Sequence, residues 1–373
     1  MRLPSCVSEL VPGVTVIIPH GGADRLELLQ ASLPRLRKAN GVDRIVLVEL
    51  DEVPRATDVG RRCADFHVFA PGAPPFHKTR AMNIGLAFVR TTHFLWLDSD
   101  VLLPENFVAD ALHECTGRTL DCLLPWAEVH YLSAADSREV ALGRCAPGAC
   151  DPVTRFPSNP MIPGLAVLAR TEFAHRHGGM PEQFRGWGCE DTAWFLKVRT
   201  LGRIGITEMA DRTLHHLYHP SSGGYSPDTD VFARPGYRRN FAILTLMKSY
   251  QTAEAFSRRF PAPLHFTAPW FGTRRFICAP GSEPVGNVLR ELYGDAVSLS
   301  GQRADADATL APSSGDDAWD TALPPLSDDH AWDAVLAPSS GEDAWDAALA
   351  AVCRASTTPQ SIVQTTADAA GGW

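Results

Sequence analysis

The sequence predicts an α/β domain with a mostly parallel sheet. Three observations carry that expectation. Val14-Thr15-Val16-Ile17-Ile18 and Arg44-Ile45-Val46-Leu47-Val48 are apolar, strand-like runs with a helical pattern between them. Phe94-Leu95-Trp96-Leu97 is a third such run and ends in Asp98-Ser99-Asp100. Gly164-Leu165-Ala166-Val167-Leu168-Ala169-Arg170 is a fourth, with a helix expected from Thr171. Strand, helix and strand joined by a short return read as a parallel βαβ unit.

The first strand is expected to stop at Pro19, which has no N–H to donate. Asp24 and Glu27 form a D-x-x-E capping signal. Leu26, Leu29, Leu33 and Leu36 then mark one helical face, which Pro34 should kink. The second strand ends at Glu49 and Asp51, and Phe66 to Phe69 is a short third strand. After a Pro-rich loop, Phe76 to Leu86 reads as a helix carrying Lys78, Arg80 and Asn83. Residues 115–160 are rich in Cys, Pro and Gly, with one strand candidate at Cys122 to Trp126. A helix is expected from Thr192 to Thr200, and another from Asn240 to Ser257.

Two stretches carry the chemistry. Ligands of open α/β sheets bind at the carboxyl ends of the strands. Asp98 and Asp100 therefore offer hard oxygen ligands where Mn²⁺ or Mg²⁺ would hold a diphosphate. The second stretch is Phe184-Arg185-Gly186-Trp187-Gly188-Cys189-Glu190-Asp191. Two carboxylates beside an aromatic wall suit a general base with a hydrogen-bonding neighbour. The bland reading is that acidic residues at a helix start gain from its dipole. Lys78 and Arg80 carry fixed positive charge suited to a diphosphate, and Asn83 hydrogen-bonds in both directions. The bland reading there is an amphipathic helix with a solvated basic face.

In this order the stretches resemble GT-A glycosyltransferases of the β-1,4-galactosyltransferase and chondroitin-polymerase type. Those enzymes carry a D-x-D and later a W-G-x-E-D. Phe76 to Leu86 resembles their K/R-x-x-A-x-N-x-G helix, and Leu102 to Asn106 resembles the turn after the D-x-D. The resemblance covers residues 12–220. It implies a three-layer α/β/α sandwich in two abutting halves. It implies metal-dependent transfer of a sugar, with inversion, from a UDP-sugar donor to a hydroxyl of a glycan or other acceptor. Asp98 and Asp100 would hold the metal. A histidine of Leu214-His215-His216-Leu217-Tyr218-His219 would complete the shell, His216 first and His219 second. Asp191 would be the base and Glu190 its neighbour. Pro19, Glu49, Lys78, Arg80, Asn83 and Asp98 would face the donor. Gly186, Trp187 and Gly188 would line the sugars. For Glu49 a solvated strand end is the competing reading.

The expected domains are 1–265 for the catalytic body, 266–300 for an extension closing it, and 301–373 for an acidic tail. Residues 301–373 hold twelve Asp/Glu and two Lys/Arg, whereas the first 300 hold 31 and 32. The near-neutral body argues against a nucleic-acid surface. In the tail Trp319, Trp332 and Trp345 recur every 13 residues in an acidic, Pro/Ser/Gly-rich setting. That composition predicts disorder, either as a multivalent docking tail for a protein partner or as a functionless duplication. No apolar run approaches the roughly 18 residues of a membrane span, and no signal-peptide pattern opens the chain. A soluble cytoplasmic enzyme is the expectation. Nine cysteines lack zinc spacing. Cys145 and Cys150 flank a Pro-Gly loop and can pair, with reduced thiols expected in such a compartment.

Two rivals remain at this level. A haloacid-dehalogenase-like phosphatase also follows an apolar strand with D-x-D, its first Asp being a nucleophile. That motif normally opens its domain, and here two βα units precede it. The other rival is a non-catalytic nucleotide-sugar or glycan binder on the same fold. All the acidic positions are filled, which argues against it.

Overall fold

The computed structural model describes residues 10–72, 74–159, 163–220 and 236–249, and three short strands beyond them. The chain has a mixed α/β architecture built on a central sheet whose core strands run parallel. Its first half runs β1 (Val11–His20), α1 (Leu26–Leu36), β2 (Arg44–Asp51), α2 (Thr57–Cys63) and β3 (Phe66–Pro71). Next come α3 (Lys78–Leu86), β4 (Thr91–Leu97) and the two-residue β5 (Val101–Leu102). Then follow α4 (Phe107–Gly117), β6 (Cys122–Leu124), β7 (Glu128–Tyr131), α5 (Ala134–Ala141) and β8 (Thr154–Pro157). The second half continues with β9 (Ala166–Arg170), α6 (Thr171–His177), α7 (Glu190–Leu201), β10 (Ile204–Ile206), β11 (Thr213–His216) and α8 (Tyr237–Ser249).

β1 pairs in parallel with β2 and β4, and β2 with β3. Val14, Val16, Ile17, Ile18, Phe94, Leu95, Trp96 and Leu97 are all buried. Strands covered on both faces read as continuous apolar runs, which is why these were legible. β9 then lies antiparallel to both β4 and β6, and β10 extends the sheet parallel to β6. On the far side β12 (Arg274–Cys278) pairs antiparallel with β3 and with β14 (Asp307–Leu310), which pairs with β13 (Val297–Leu299). The tail repeats around Trp319, Trp332 and Trp345 lie outside the described residues, as does the end of the expected 240–257 helix.

A second sheet, in the order β5, β11, β7, β8, stands beside the first. The chain leaves the main sheet after Leu97, turns through Asp98 to Asp100, and enters this second sheet at Val101. The D-x-D is therefore the junction of the two sheets.

Several local expectations change. β1 runs through Pro19 to His20, because in parallel pairing with Val48 the proline needs no further donor. The D-x-x-E cap does not form: a 3₁₀ turn, Ala23–Arg25, precedes α1, and neither start has a side-chain cap. Pro34 is accommodated inside α1 near its end. In the Cys- and Pro-rich region the strand expected at Cys122 forms as β6, and β7, α5 and β8 follow, elements too short for periodicity to reveal. α7 starts at Glu190 rather than Thr192.

Candidate active site

Asp100 is held by backbone geometry. β5 and β11 are antiparallel, with Val101 opposite His216. The Leu217 amide donates to the Asp100 carbonyl at 2.9 Å. That pairing brings His216 Nε2 to 3.5 Å from Asp100 Oδ1 and His219 Nε2 to 3.0 Å from Oδ2. Ligand atoms of Asp100, His216 and His219 all lie within 4.8 Å of one another, and all three residues are buried. His215 points elsewhere, as strand alternation requires, and packs edge-on against His130. Tyr131 stacks on His216 with ring centroids 4.6 Å apart.

This corner has the character of a metal site. Asp100 Oδ1 and His216 Nδ1 are buried without hydrogen-bond partners. Orphaned buried polar atoms are costly, and a cation among them would remove that cost. Carboxylate and imidazole together suit Mn²⁺, and Mg²⁺ less well. Burial opposes the Asp100 charge. The His216 field, the His219 hydrogen bond and Arg25 outweigh it, and hold the carboxyl well below its ordinary range. Burial pushes His216 down towards the neutral, ligating form. Arg25 Nη1 stands 3.4 Å from Asp100 Oδ2.

Asp98 joins a different group. The turn after β4 is closed by the Val101 amide donating to the Asp98 carbonyl, and the Asp98 amide donates to Leu165. Asp98 Oδ1 then meets Lys78 Nζ at 2.8 Å. The same ammonium stands 2.9 Å from Asp191 Oδ2 and 3.6 Å from Glu190 Oε1. Burial opposes the Lys78 charge, but Asp191, Asp98 and Glu190 together hold it well above its ordinary value. Burial also pushes Asp98 up. Burial, then the Asp191 charge, raises Glu190 to about 7, and its Oε2 has no hydrogen-bond partner.

Packing puts these carboxylates together. Trp194 on α7 meets Trp96 on β4 edge-on at 4.6 Å, and both are fully buried. Glu190 is one helical turn before Trp194 and so shares its face, near the end of β4. Gly164 borders Asp191 so closely that a Cβ there would stand 2.7 Å from Asp191 Oδ2.

The loop before α7 is pinned from a distance. Asn240 of α8 is fully buried. Its Nδ2 donates to the carbonyls of Arg185 at 2.9 Å and Gly188 at 3.0 Å, and its Oδ1 accepts from the Arg185 amide. Gly188 has φ 101° and lies against the Tyr237 ring, a position closed to other residues. Gly186 has φ 69°, and Trp187 tilts against Tyr237 at 5.6 Å. Buried Lys197 donates to Gly178 and Gly179 carbonyls, and burial lowers it to about 7.

Two other residues expected at the donor, Glu49 and Asn83, are hydrogen-bonded within the fold. Glu49 is fully buried and accepts from the Arg55 and Ala56 amides, with His67 Nε2 at 2.9 Å. It is therefore not a solvated strand end. Asn83 donates to Met180 and Glu182 and accepts from the Met180 amide, which locks α3 to the 178–182 loop. Pro19 is buried in β1. Arg80 stands near His77, which burial, Arg185 and Arg80 together hold at about 4. Sequence reasoning missed Arg25, Asn240 and Lys197. Arg25 follows the end of β1 and was findable from that position. Asn240 acts across more than fifty residues and left no local signal.

No protein-family model and no curated protein match the chain. Among solved structures it is similar to S. aureus TarS 1–349, at 14% identity and TM-score 0.38, over 55% of this chain and 60% of that one. The chain thus spans less than two thirds of TarS. Drosophila β1,4-galactosyltransferase 7, in complex with manganese, UDP-Gal and xylobiose, is 19% identical over 57% of this chain and 74% of that one, TM-score 0.37. A mannosyltransferase from Pyrobaculum calidifontis, with GDP-Man and Mn²⁺, is 16% identical over 76% and 70%, TM-score 0.37. Among the described residues no helix is long and apolar enough to cross a membrane.

Proposed function

We propose that the chain is a metal-dependent glycosyltransferase that moves a sugar from a nucleotide-diphosphate donor, a UDP-sugar, to a hydroxyl of a glycan or other acceptor. One observation carries this reading. A buried ligand set with orphaned atoms, Asp100, His216 and His219, stands one residue along the chain from a carboxylate cluster around Lys78.

Asp100, His216 and His219 would hold Mn²⁺ or Mg²⁺, with Asp98 as the further ligand. The bound ion would supply Lewis-acid neutralisation of the diphosphate leaving group. Lys78 brings a fixed positive charge to the same place. A donor diphosphate would compete with Asp191 for that ammonium, since phosphate oxygens are strong acceptors. Asp191 would thereby be released as the donor enters. Asp191 would then take the proton of the acceptor hydroxyl as that oxygen attacks, with Glu190 orienting the hydroxyl. Trp187 would cover an apolar sugar face. Attack opposite the leaving group inverts the anomeric carbon.

The test is calorimetric titration of UDP with and without Mn²⁺, on the wild-type chain and on Asp100→Ala. Wild-type binding should require Mn²⁺, and the variant should lose that dependence while its circular dichroism is unchanged. Equal UDP affinity in both proteins, or in EDTA, would sink the assignment.

A further inference from the structure

Away from the acidic cluster, the segment after α5 carries Cys145 and Cys150 on either side of a 3₁₀ turn, Pro147–Ala149. Their Sγ atoms are 3.3 Å apart, and both thiols are half-buried. Each also points at the Ala146 carbonyl, Cys145 Sγ at 3.3 Å and Cys150 Sγ at 3.6 Å, so the turn holds both on one side. Both pack against a small apolar cluster that includes Leu102, Leu132, Val140 and Leu217. Cys115, Cys122 and Cys189 are set differently. Cys115 and Cys122 are buried, and burial pushes the thiols of Cys115 and Cys189 up to about 12.

We propose that Cys145 and Cys150 form a reversible dithiol–disulfide pair that takes oxidising equivalents from a small disulfide such as oxidised glutathione. A disulfide needs its sulfurs at about 2 Å. Two thiols already in contact across a short turn reach that distance by side-chain rotation. The steps balance. The thiolate of Cys145 attacks a glutathione sulfur, forming a mixed disulfide and releasing one glutathione thiolate. The thiolate of Cys150 then attacks Cys145 Sγ, closing the ring and releasing the second. The protein loses two protons and two electrons, and one oxidised glutathione becomes two reduced. Desolvation, then the neighbouring Cys145 sulfur, pushes the Cys150 thiol up to about 11.

The closed ring would stiffen a wall of the cluster that seats Leu102 and Leu217. Leu102 is the last residue of β5 and Leu217 lies between His216 and His219 in the chain, so the pair packs on the same cluster as two neighbours of the metal corner.

The sequence supplies a clean readout. Arg144 and Arg155 bracket Cys145 and Cys150, so trypsin releases both cysteines in one peptide with no others. The full-length native chain is incubated with a glutathione redox buffer, alkylated and digested. In oxidising buffer the 145–155 peptide should lose the mass of two hydrogens and resist alkylation, and dithiothreitol should restore it. In Cys145→Ser the loss should disappear and Cys150 should alkylate or carry glutathione. An unchanged wild-type peptide would overturn the proposal. So would separate glutathione adducts on both cysteines, or a cross-link from either to a different peptide.

Discussion

Asp98 and Asp100 stand one residue apart at the end of β4, yet their carboxylates join different groups. Asp100 faces two histidines and keeps an orphaned oxygen. Asp98 is drawn to Lys78, which Asp191 and Glu190 share. The first corner sets one carboxylate among two histidines and Arg25, whereas the second gathers three carboxylates around one ammonium. Their supports differ too. Backbone pairing of β5 with β11 fixes Asp100 and His216. The acidic loop depends on side chains: Trp194 against Trp96, Asn240 on the Arg185 and Gly188 carbonyls, and Lys78 itself. A site carried on strands keeps its geometry without a ligand, whereas one assembled by side chains can rearrange when a competing charge arrives.

The largest effect should come from breaking the self-paired side of this comparison. Asp191→Asn keeps the shape but takes no proton, and should lower kcat by about 10²–10⁴. Lys78 retains Asp98 as a partner, so the fold should survive. Donor affinity measured alongside turnover checks the reading: a stable variant with near-wild-type kcat would remove Asp191 from the base role. Asp191 is not the α7 N-cap, which is Cys189 without a side-chain cap bond, so a pure capping role has no geometric support.

Lys78→Met should damage stability more than its single position suggests. It leaves three carboxylates together without their shared cation. Removing one partner of a buried ionic group costs about 3–5 kcal/mol. Chemical denaturation measures this directly. Mn²⁺ should recover part of the loss in the variant, since added positive charge nearby relieves the crowding. A variant as stable as wild type would show that the carboxylates do not depend on the ammonium.

The smallest effect is a pH slope. Glu190 is raised from its ordinary 4.5 to about 7 in the folded chain. Between those values the folded state holds a proton that the unfolded state releases. Its contribution to stability is therefore present below about 4.5 and fades as pH rises through about 7. The loss should be on the order of 3 kcal/mol across that window. Denaturation of wild type and Glu190→Gln at several pH values isolates it, because glutamine removes the slope. Equal slopes in both proteins would place the titration elsewhere.

Long apolar runs made the main sheet legible. Val14 to Ile18, Arg44 to Val48, Phe94 to Leu97 and Ala166 to Arg170 needed no context, because strands buried on both faces must be apolar throughout. The short elements β7, β8, α2 and β10 lacked enough residues for a period to emerge. Asp98, Asp100, Glu190 and Asp191 were legible as chemistry, since acidic pairs beside strand ends or glycines stand out against their surroundings.

What each of those residues touches was decided by tertiary structure alone. Glu49 and Asn83 looked like ligand contacts and are spent on backbone amides and carbonyls, because burial obliges polar side chains to find partners in the fold. Of the three histidines, His216 and His219 rank ahead of His215 by sequence, without any geometry to fix the choice. Strand alternation and the Val101–His216 pairing turned His216 to Asp100 and left His215 facing His130. Residue order determined which groups exist at the ends of the strands. Only the meeting of the two sheets at Asp98–Asp100, and of α3 with α7 at Lys78, determined which of them share a charge. Electrostatic partnership depends on distance and burial, and neither is a property of sequence spacing.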